Sequence, residues 1–162
     1  MTNVLQMTRV LAEQPAIPVV PGVQIRNIRI PEDVERWLEL RRQAFSGQRI
    51  GVREWSREDF AVEFLGKPWW RPEAMWLAHA DGLVGSVTLA LRKGRYDVKS
   101  VVHWLMVDSS QRRRGIGQLL MATLEAAVWD EGGRQVWLET HSAWEEAVAL
   151  YRAVGYVEVQ PV

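Results

Sequence analysis

Arg112, Arg113, Arg114, Gly115, Ile116 and Gly117 follow closely on an apolar run, Val101-Val102-His103-Trp104-Leu105-Met106-Val107. The run is about as long as one strand. Beyond the glycines, Ile116, Leu119, Leu120, Thr123, Leu124, Ala127 and Val128 recur at the spacing of one helix face. A strand therefore feeds a helix through a short loop at residues 109–114. Glycines at the helix start leave the first-turn amides unobstructed and without intrahelical partners, so a phosphate can approach the backbone closely. The helix start is itself an anion site, and the three arginines add positive charge. Two phosphate motifs are excluded. A Walker loop needs a lysine that this loop lacks, and the dinucleotide fingerprint needs a third small residue where Leu120 stands.

The stretch resembles motif A of the GNAT superfamily of acyl-coenzyme A dependent N-acetyltransferases: Gln or Arg, two residues, Gly, one residue, then Gly or Ala. Arg112, Gly115 and Gly117 fill that pattern, and Ser109 stands where proline is common. Nearer the C-terminus, Ala147, Leu150-Tyr151 and Gly155-Tyr156 resemble the family's motif B, with Trp144 at the place of the usual asparagine. The two motifs occur in the proper order, and with the hairpin described below they cover roughly residues 23–159. The resemblance implies an α/β architecture: a mixed, mostly antiparallel sheet of about six strands flanked by about four helices. It also implies acetyl-coenzyme A as co-substrate, an amine-bearing acceptor, and direct attack in a ternary complex. An acyl-coenzyme A binding or sensing module without catalysis is the alternative reading.

Carried onto this sequence, the resemblance gives the amides of Leu105, Met106 and Val107 to the pantetheine arm and carbonyl. Those of residues 112–117 take the pyrophosphate, with Arg112, Arg113 and Arg114 adding charge. Tyr151 occupies the position of the tyrosine that protonates the coenzyme sulfur in many relatives, and a phenol with an ordinary pKa near 10 suits that task. For the base, His103 is the first candidate, because histidine titrates near the working pH. Its alternate spacing with Leu105 and Val107 places it on their face of the strand. Glu139 and His141, at the end of a later strand, are alternatives on the acceptor side. The order Arg42-Gln43-Ala44-Phe45, then residues 56–59, then Lys67-Pro68-Trp69-Trp70 also resembles the acceptor-side region of mycothiol synthases, which are members of the superfamily. Trp69 and Trp70 are therefore candidate acceptor contacts.

A chain of 162 residues fits one domain with a substantial core. Twenty basic residues balance twenty acidic ones, so there is no global attraction to nucleic acid or to an anionic membrane. The absence of cysteine excludes disulfides, cysteine metal sites and a cysteine acyl-enzyme. His79, His103 and His141 fall on separate strands without the spacing of a metal site, so no metal is expected. No apolar run reaches membrane-spanning length and no signal peptide is legible, which gives a cytoplasmic expectation.

Residues 1–22 read as an extension, with Val4, Leu5, Val10 and Leu11 at loose helical spacing and three prolines after them. The acetyltransferase domain is expected over residues 23–162. It opens with a bulged strand at residues 23–30 and a helix ending at Phe45, followed by a polar loop at residues 46–55. Ser56 and Asp59 then cap a short helix. Asp81-Gly82 signals a hairpin, Gly132-Gly133 a helix stop, and residues 136–140 and 156–159 the last strands. No segment remains for a further strand at the C-terminal end. The open sheet edge is expected to be completed by a partner chain, in a homodimer, or by the N-terminal extension.

Overall fold

A computed structural model describes residues 3–47 and 52–159. Residues 48–51 of the expected loop therefore lie outside the described residues. Strands β1 (Val4–Val10), β2 (Gln24–Asn27), β3 (Met75–His79), β4 (Leu83–Lys93), β5 (Val98–Val107), β6 (Gln135–His141) and β7 (Val157–Glu158) form one sheet in the order β2-β3-β4-β5-β6-β1-β7. The neighbours are antiparallel except β5 and β6, which run parallel. That parallel pair requires a crossover, and the helix α3 (Ile116–Asp130) supplies it. Helices α1 (Val34–Phe45) and α2 (Arg57–Phe60) cover one face, α2 continuing into a π-helical turn, Ala61–Leu65. Helices α3 and α4 (Glu145–Ala153) cover the other. Among the described residues no helix is long and apolar enough to cross a membrane.

The expected six strands are seven, and the difference lies at the N-terminus. Residues 4–10 form a strand rather than a helical stretch, paired along its whole length with β6 from Val4 opposite His141 to Val10 opposite Gln135. Periodicity misleads there because the segment is short, while its β-branched residues suit a strand filling an otherwise open edge. The edge left for a partner or the extension is taken by the extension. Met7 is fully buried, and Arg9 donates to Glu125 in α3 at 2.8 Å, the same carboxylate that accepts from the Tyr156 hydroxyl at 2.8 Å. One buried acid thus ties both terminal strands to the crossover helix. The irregularity expected at Asn27 is absent from β2, which pairs in continuous register with β3; a register shift occurs instead between β3 and β4, at Ala78 and His79.

Two cores hold the helices in place. On the α1 side Trp37 is fully buried, donates from its indole to Ser86 at 3.1 Å, and meets Phe60 and Phe64 edge-on at 5.1 and 5.2 Å. These contacts fix the π-turn against α1 and, through Trp37, against β4. On the other face α3 lies so close to β4 that a Cβ on Gly85 would sit 2.9 Å from Leu120 Cδ1, 3.1 Å from Ile116 Cγ2 and 3.2 Å from the Met106 carbonyl oxygen. Both side chains are buried, so neither can yield cheaply. Gly85→Ala is expected to cost about 1–3 kcal/mol and lower Tm by roughly 2–12 °C, as read by calorimetry. An unchanged Tm would show that the helix is not seated this tightly.

Candidate active site

The site arises where β5 and β6 stop pairing. Their parallel ladder runs from Ser100 opposite Val136 to Val102 opposite Leu138 and ends there. Beyond it the β6-facing backbone groups of residues 103–107 have no strand partner in β6, so polar donors and acceptors line a wedge between the two strands. A bulge sharpens the divergence. In β4 Ser86 pairs with Met106 and Thr88 with His103, so β5 carries one extra residue, and Trp104 absorbs it with φ +54°. The wedge opens into a cavity of about 800 Å³ lined by residues from β5, the loop before α3, β6, α4 and the C-terminal end of α1.

The bulge also corrects the placement of His103. Leu105 and Val107 pack toward α3 and α4, whereas His103 lies on the opposite face, edge-on to Phe64 and to Trp69 at 5.7 Å each. Simple alternation fails because the inserted residue reverses the phase between positions 103 and 105. On that face the His103 Nε2 stands 2.7 Å from Glu63 Oε1, and the Trp104 indole donates to the same oxygen at 3.4 Å. Burial pushes the imidazole below its ordinary value, and Glu63 only partly offsets this. The ring is therefore neutral at pH 7, and both His103 and Glu63 line the cavity.

Across the cavity the α3 N-terminus is bare. Gly115 precedes the helix with φ +85°, which a residue bearing Cβ adopts only under strain, and no side chain caps the first turn. The first intrahelical bond runs from the Leu119 amide to the Gly115 carbonyl at 3.0 Å, so the amides of Ile116, Gly117 and Gln118 have no helical partner. All three residues line the cavity, as does Gly115. The arginines divide. Arg113, itself at φ +67°, lines the cavity. Arg112 also lines it while donating to the Ala44 carbonyl at 2.6 Å and approaching Glu146 at 3.3 Å. Arg114 is turned away, toward Gln111 at 2.5 Å and the Pro21 carbonyl at 3.4 Å.

Tyr151 on α4 lines the cavity, is 6% exposed, and its hydroxyl has no hydrogen-bond partner among the described residues. Burial raises its pKa above the ordinary phenol value. Leu105, Met106 and Val107 line the cavity along β5, and Glu139 does so from β6, 3.7 Å from Arg92. His141 is not brought in: its Nδ1 accepts from the Ala143 amide at 3.0 Å, which holds the turn into α4. Trp69 reaches the site only through His103, and Trp70 packs on Phe64 at 5.7 Å. Among the described residues no cluster of three or more acidic or histidine side chains suited to a metal is present.

Sequence reasoning missed Glu63 and the joining of Phe45, from the segment with the acceptor-side resemblance, to Trp104 at 5.8 Å and Trp144 at 5.3 Å in one aromatic wall. A signal for Glu63 existed, since it is a carboxylate set between Phe60 and Phe64 on a short helical segment. Its histidine partner is forty residues distant in sequence. The turn that carries it is π-helical, a feature frequent at functional sites.

A wedge between parted strands, closed below by an uncapped helix start, is a shape that comparison with known proteins places. The acetyltransferase (GNAT) family model matches residues 34–156. The chain belongs to the GNAT acetyltransferase family. Mycothiol acetyltransferase from Thermobispora bispora is 30% identical over 156 residues, covering 93% of this chain and 52% of the relative. Its counterpart from Geodermatophilus obscurus is 31% identical over 159 residues, covering 94% and 51%. The chain thus spans about half the length of these curated GNAT relatives. Among solved structures, a GCN5-related N-acetyltransferase from Sphaerobacter thermophilus shares the fold with a TM-score of 0.75 at 21% identity, covering 96% of this chain and 48% of that one.

Proposed function

We propose that the chain is an acetyl-coenzyme A dependent N-acetyltransferase that moves acetyl to a primary amine by direct attack. The observation that carries this reading is the cavity between β5 and β6, with unpaired strand backbone along one wall and free helix amides at its base. The residues fit the co-substrate. The amides of Ile116, Gly117 and Gln118, with Arg113 beside them, suit a diphosphate. The open edge of β5 suits the amide groups of a pantetheine arm.

In this reading the amine lone pair attacks the thioester carbonyl carbon, the C–S bond breaks, and the thiolate departs toward the Tyr151 hydroxyl, which donates to it. The proton lost by the amine nitrogen goes to His103. With Nε2–H donated to Glu63, the ring's free lone pair is on Nδ1, and the carboxylate stabilises the imidazolium that forms. Arg112 acts chiefly as a tether, joining the loop to α1 and α4. The absence of cysteine fits transfer without a cysteine acyl-enzyme.

Mixing the protein with acetyl-coenzyme A and a panel of primary amines is expected to release free thiol in step with acetylated amine. Coenzyme binding without release for any amine would instead favour a binding module. Gly117 gives a further check, because a Cβ there would stand 2.6 Å from Leu150 Cδ2, and Leu150 lines the same cavity. Gly117→Ala is expected to displace that side chain and raise KM for acetyl-coenzyme A roughly tenfold, about 1.4 kcal/mol, with kcat little changed. Equal KM in steady-state kinetics would count against the placement.

A further inference from the structure

Beside the main cavity lies a second, of about 210 Å³, lined by Leu38, Arg41, Arg42, Phe45, Val52, Arg53, Glu54 and Trp55 among others. Two of its guanidinium groups are matched to carboxylates. Arg42 pairs with Glu39 at 2.6 Å and Glu54 at 3.3 Å, and Arg53 with Asp59 at 3.0 Å. Arg41 is different. It is 4% exposed, donates to the Arg53 carbonyl at 2.7 Å, and forms no ion pair among the described residues, and its buried Nε has no hydrogen-bond partner. Its guanidinium lies 4.0 Å from the ring centroid of Trp55 and 5.0 Å from that of Trp104. Trp104 in turn borders the main cavity and touches Glu63 and His103. A buried cation without a counter-charge is costly, and ring faces only partly compensate it. Burial, and after it the like charge of Arg53, lower this guanidinium's pKa to about 10, against raising influences from Asp59, Glu63 and Glu54.

We infer that the acceptor is an amine that also carries an anionic group, carboxylate or phosphate, and that Arg41 takes this group in the side cavity while the amine meets His103 and Glu63. This rests on the acetyltransferase reading above and specifies its substrate class. The charge layout suits such a molecule, with a carboxylate–imidazole pair at one end and an unmatched guanidinium at the other, separated by the Trp104 ring. Arg41 is then a specificity-determining residue. A planar guanidinium packed against two indoles, whose centroids are 5.0 Å apart, is oriented before the anion arrives, which limits the entropy lost on binding.

The test compares matched amines: 4-aminobutyrate against n-butylamine, and O-phosphoethanolamine against ethanolamine, each followed by thiol release from acetyl-coenzyme A. In at least one pair the anionic member is expected to show a kcat/KM higher by roughly 10- to 100-fold, and the favoured pair identifies carboxylate or phosphate. Arg41→Gln should bring that ratio towards one. Arg41→Lys, which keeps the charge but loses the fork, should retain part of it and serves if the glutamine variant does not fold. Ratios near one in both pairs of the unaltered protein, or a preference that survives Arg41→Gln, would overturn the inference. Thiol release at equal rates overturns only the anion subsite, whereas no release with any amine would point to failure of the acetyltransferase reading itself.

Discussion

Replacing Tyr151 with phenylalanine is expected to lower kcat about 100-fold, at the lower end of what positioned acid–base groups supply, while KM for acetyl-coenzyme A changes less than about threefold. The residue lines the cavity and its hydroxyl is bonded to no protein group among the described residues, so its removal strips nothing from the fold. Stability should stay within about 0.5 kcal/mol, because no buried partner is left unsatisfied. This separates chemistry from folding, since a structural tyrosine would lose Tm and a catalytic one loses turnover. Burial has already raised the phenol's pKa, so the group remains protonated throughout the working range. The same surroundings disfavour a free thiolate, which increases the value of the donor there. Undiminished kcat in the phenylalanine variant would remove Tyr151 from the mechanism.

The second large effect concerns the His103–Glu63 pair. His103→Ala is expected to reduce kcat/KM roughly 100-fold. The pH profile tests the assignment more sharply. Protonated imidazole cannot accept the amine's proton, so activity falls on the acid side as the ring titrates. Burial lowers the ring's pKa below its ordinary 6.5, which puts that limb below pH 6.5. Glu63 is the opposing influence, raising the pKa through its charge and hydrogen bond. Glu63→Gln removes the charge and leaves only a neutral acceptor, so the acid limb moves to still lower pH even as kcat drops because the carboxylate that stabilises the imidazolium is gone. A drop without movement of the limb would make Glu63 a packing residue only. An alkaline shift would contradict the electrostatics described above.

How far the amino-acid sequence led follows from how local each feature is. Gly115 and Gly117 at a strand-to-helix junction are legible because strand, loop and helix lie within thirty consecutive residues, and the short motif around Tyr151 marks the helix that places this residue against the cavity. The hairpin at Asp81 and Gly82 was legible for the same reason, both residues taking positive φ in the turn. The N-terminal strand was not. Residues 4–10 pair with residues 135–141, and nothing in a seven-residue window reveals a partner at that separation. The face of His103 was misread because the bulge at Trp104 inserts one residue into a strand whose pattern gives no warning of it. Beyond the setting of Glu63 between Phe60 and Phe64, nothing in the sequence sets Glu63 or Arg41 apart from the other charges on their helical segments. Only packing shows that one meets a histidine and the other is buried against two indoles. What stays hidden in the sequence thus depends on contacts between distant segments, whereas the uncapped start of α3 is built from one continuous stretch and is legible in it.

That helix start is also where the account can be tested most directly, by diffraction from crystals soaked in acetyl-coenzyme A. Diphosphate density is expected within hydrogen-bond reach of the Ile116, Gly117 and Gln118 amides, and the thioester between β5 and β6 beside Tyr151. Coenzyme bound elsewhere on the protein, or an empty cleft in crystals of a protein that turns over, would contradict it.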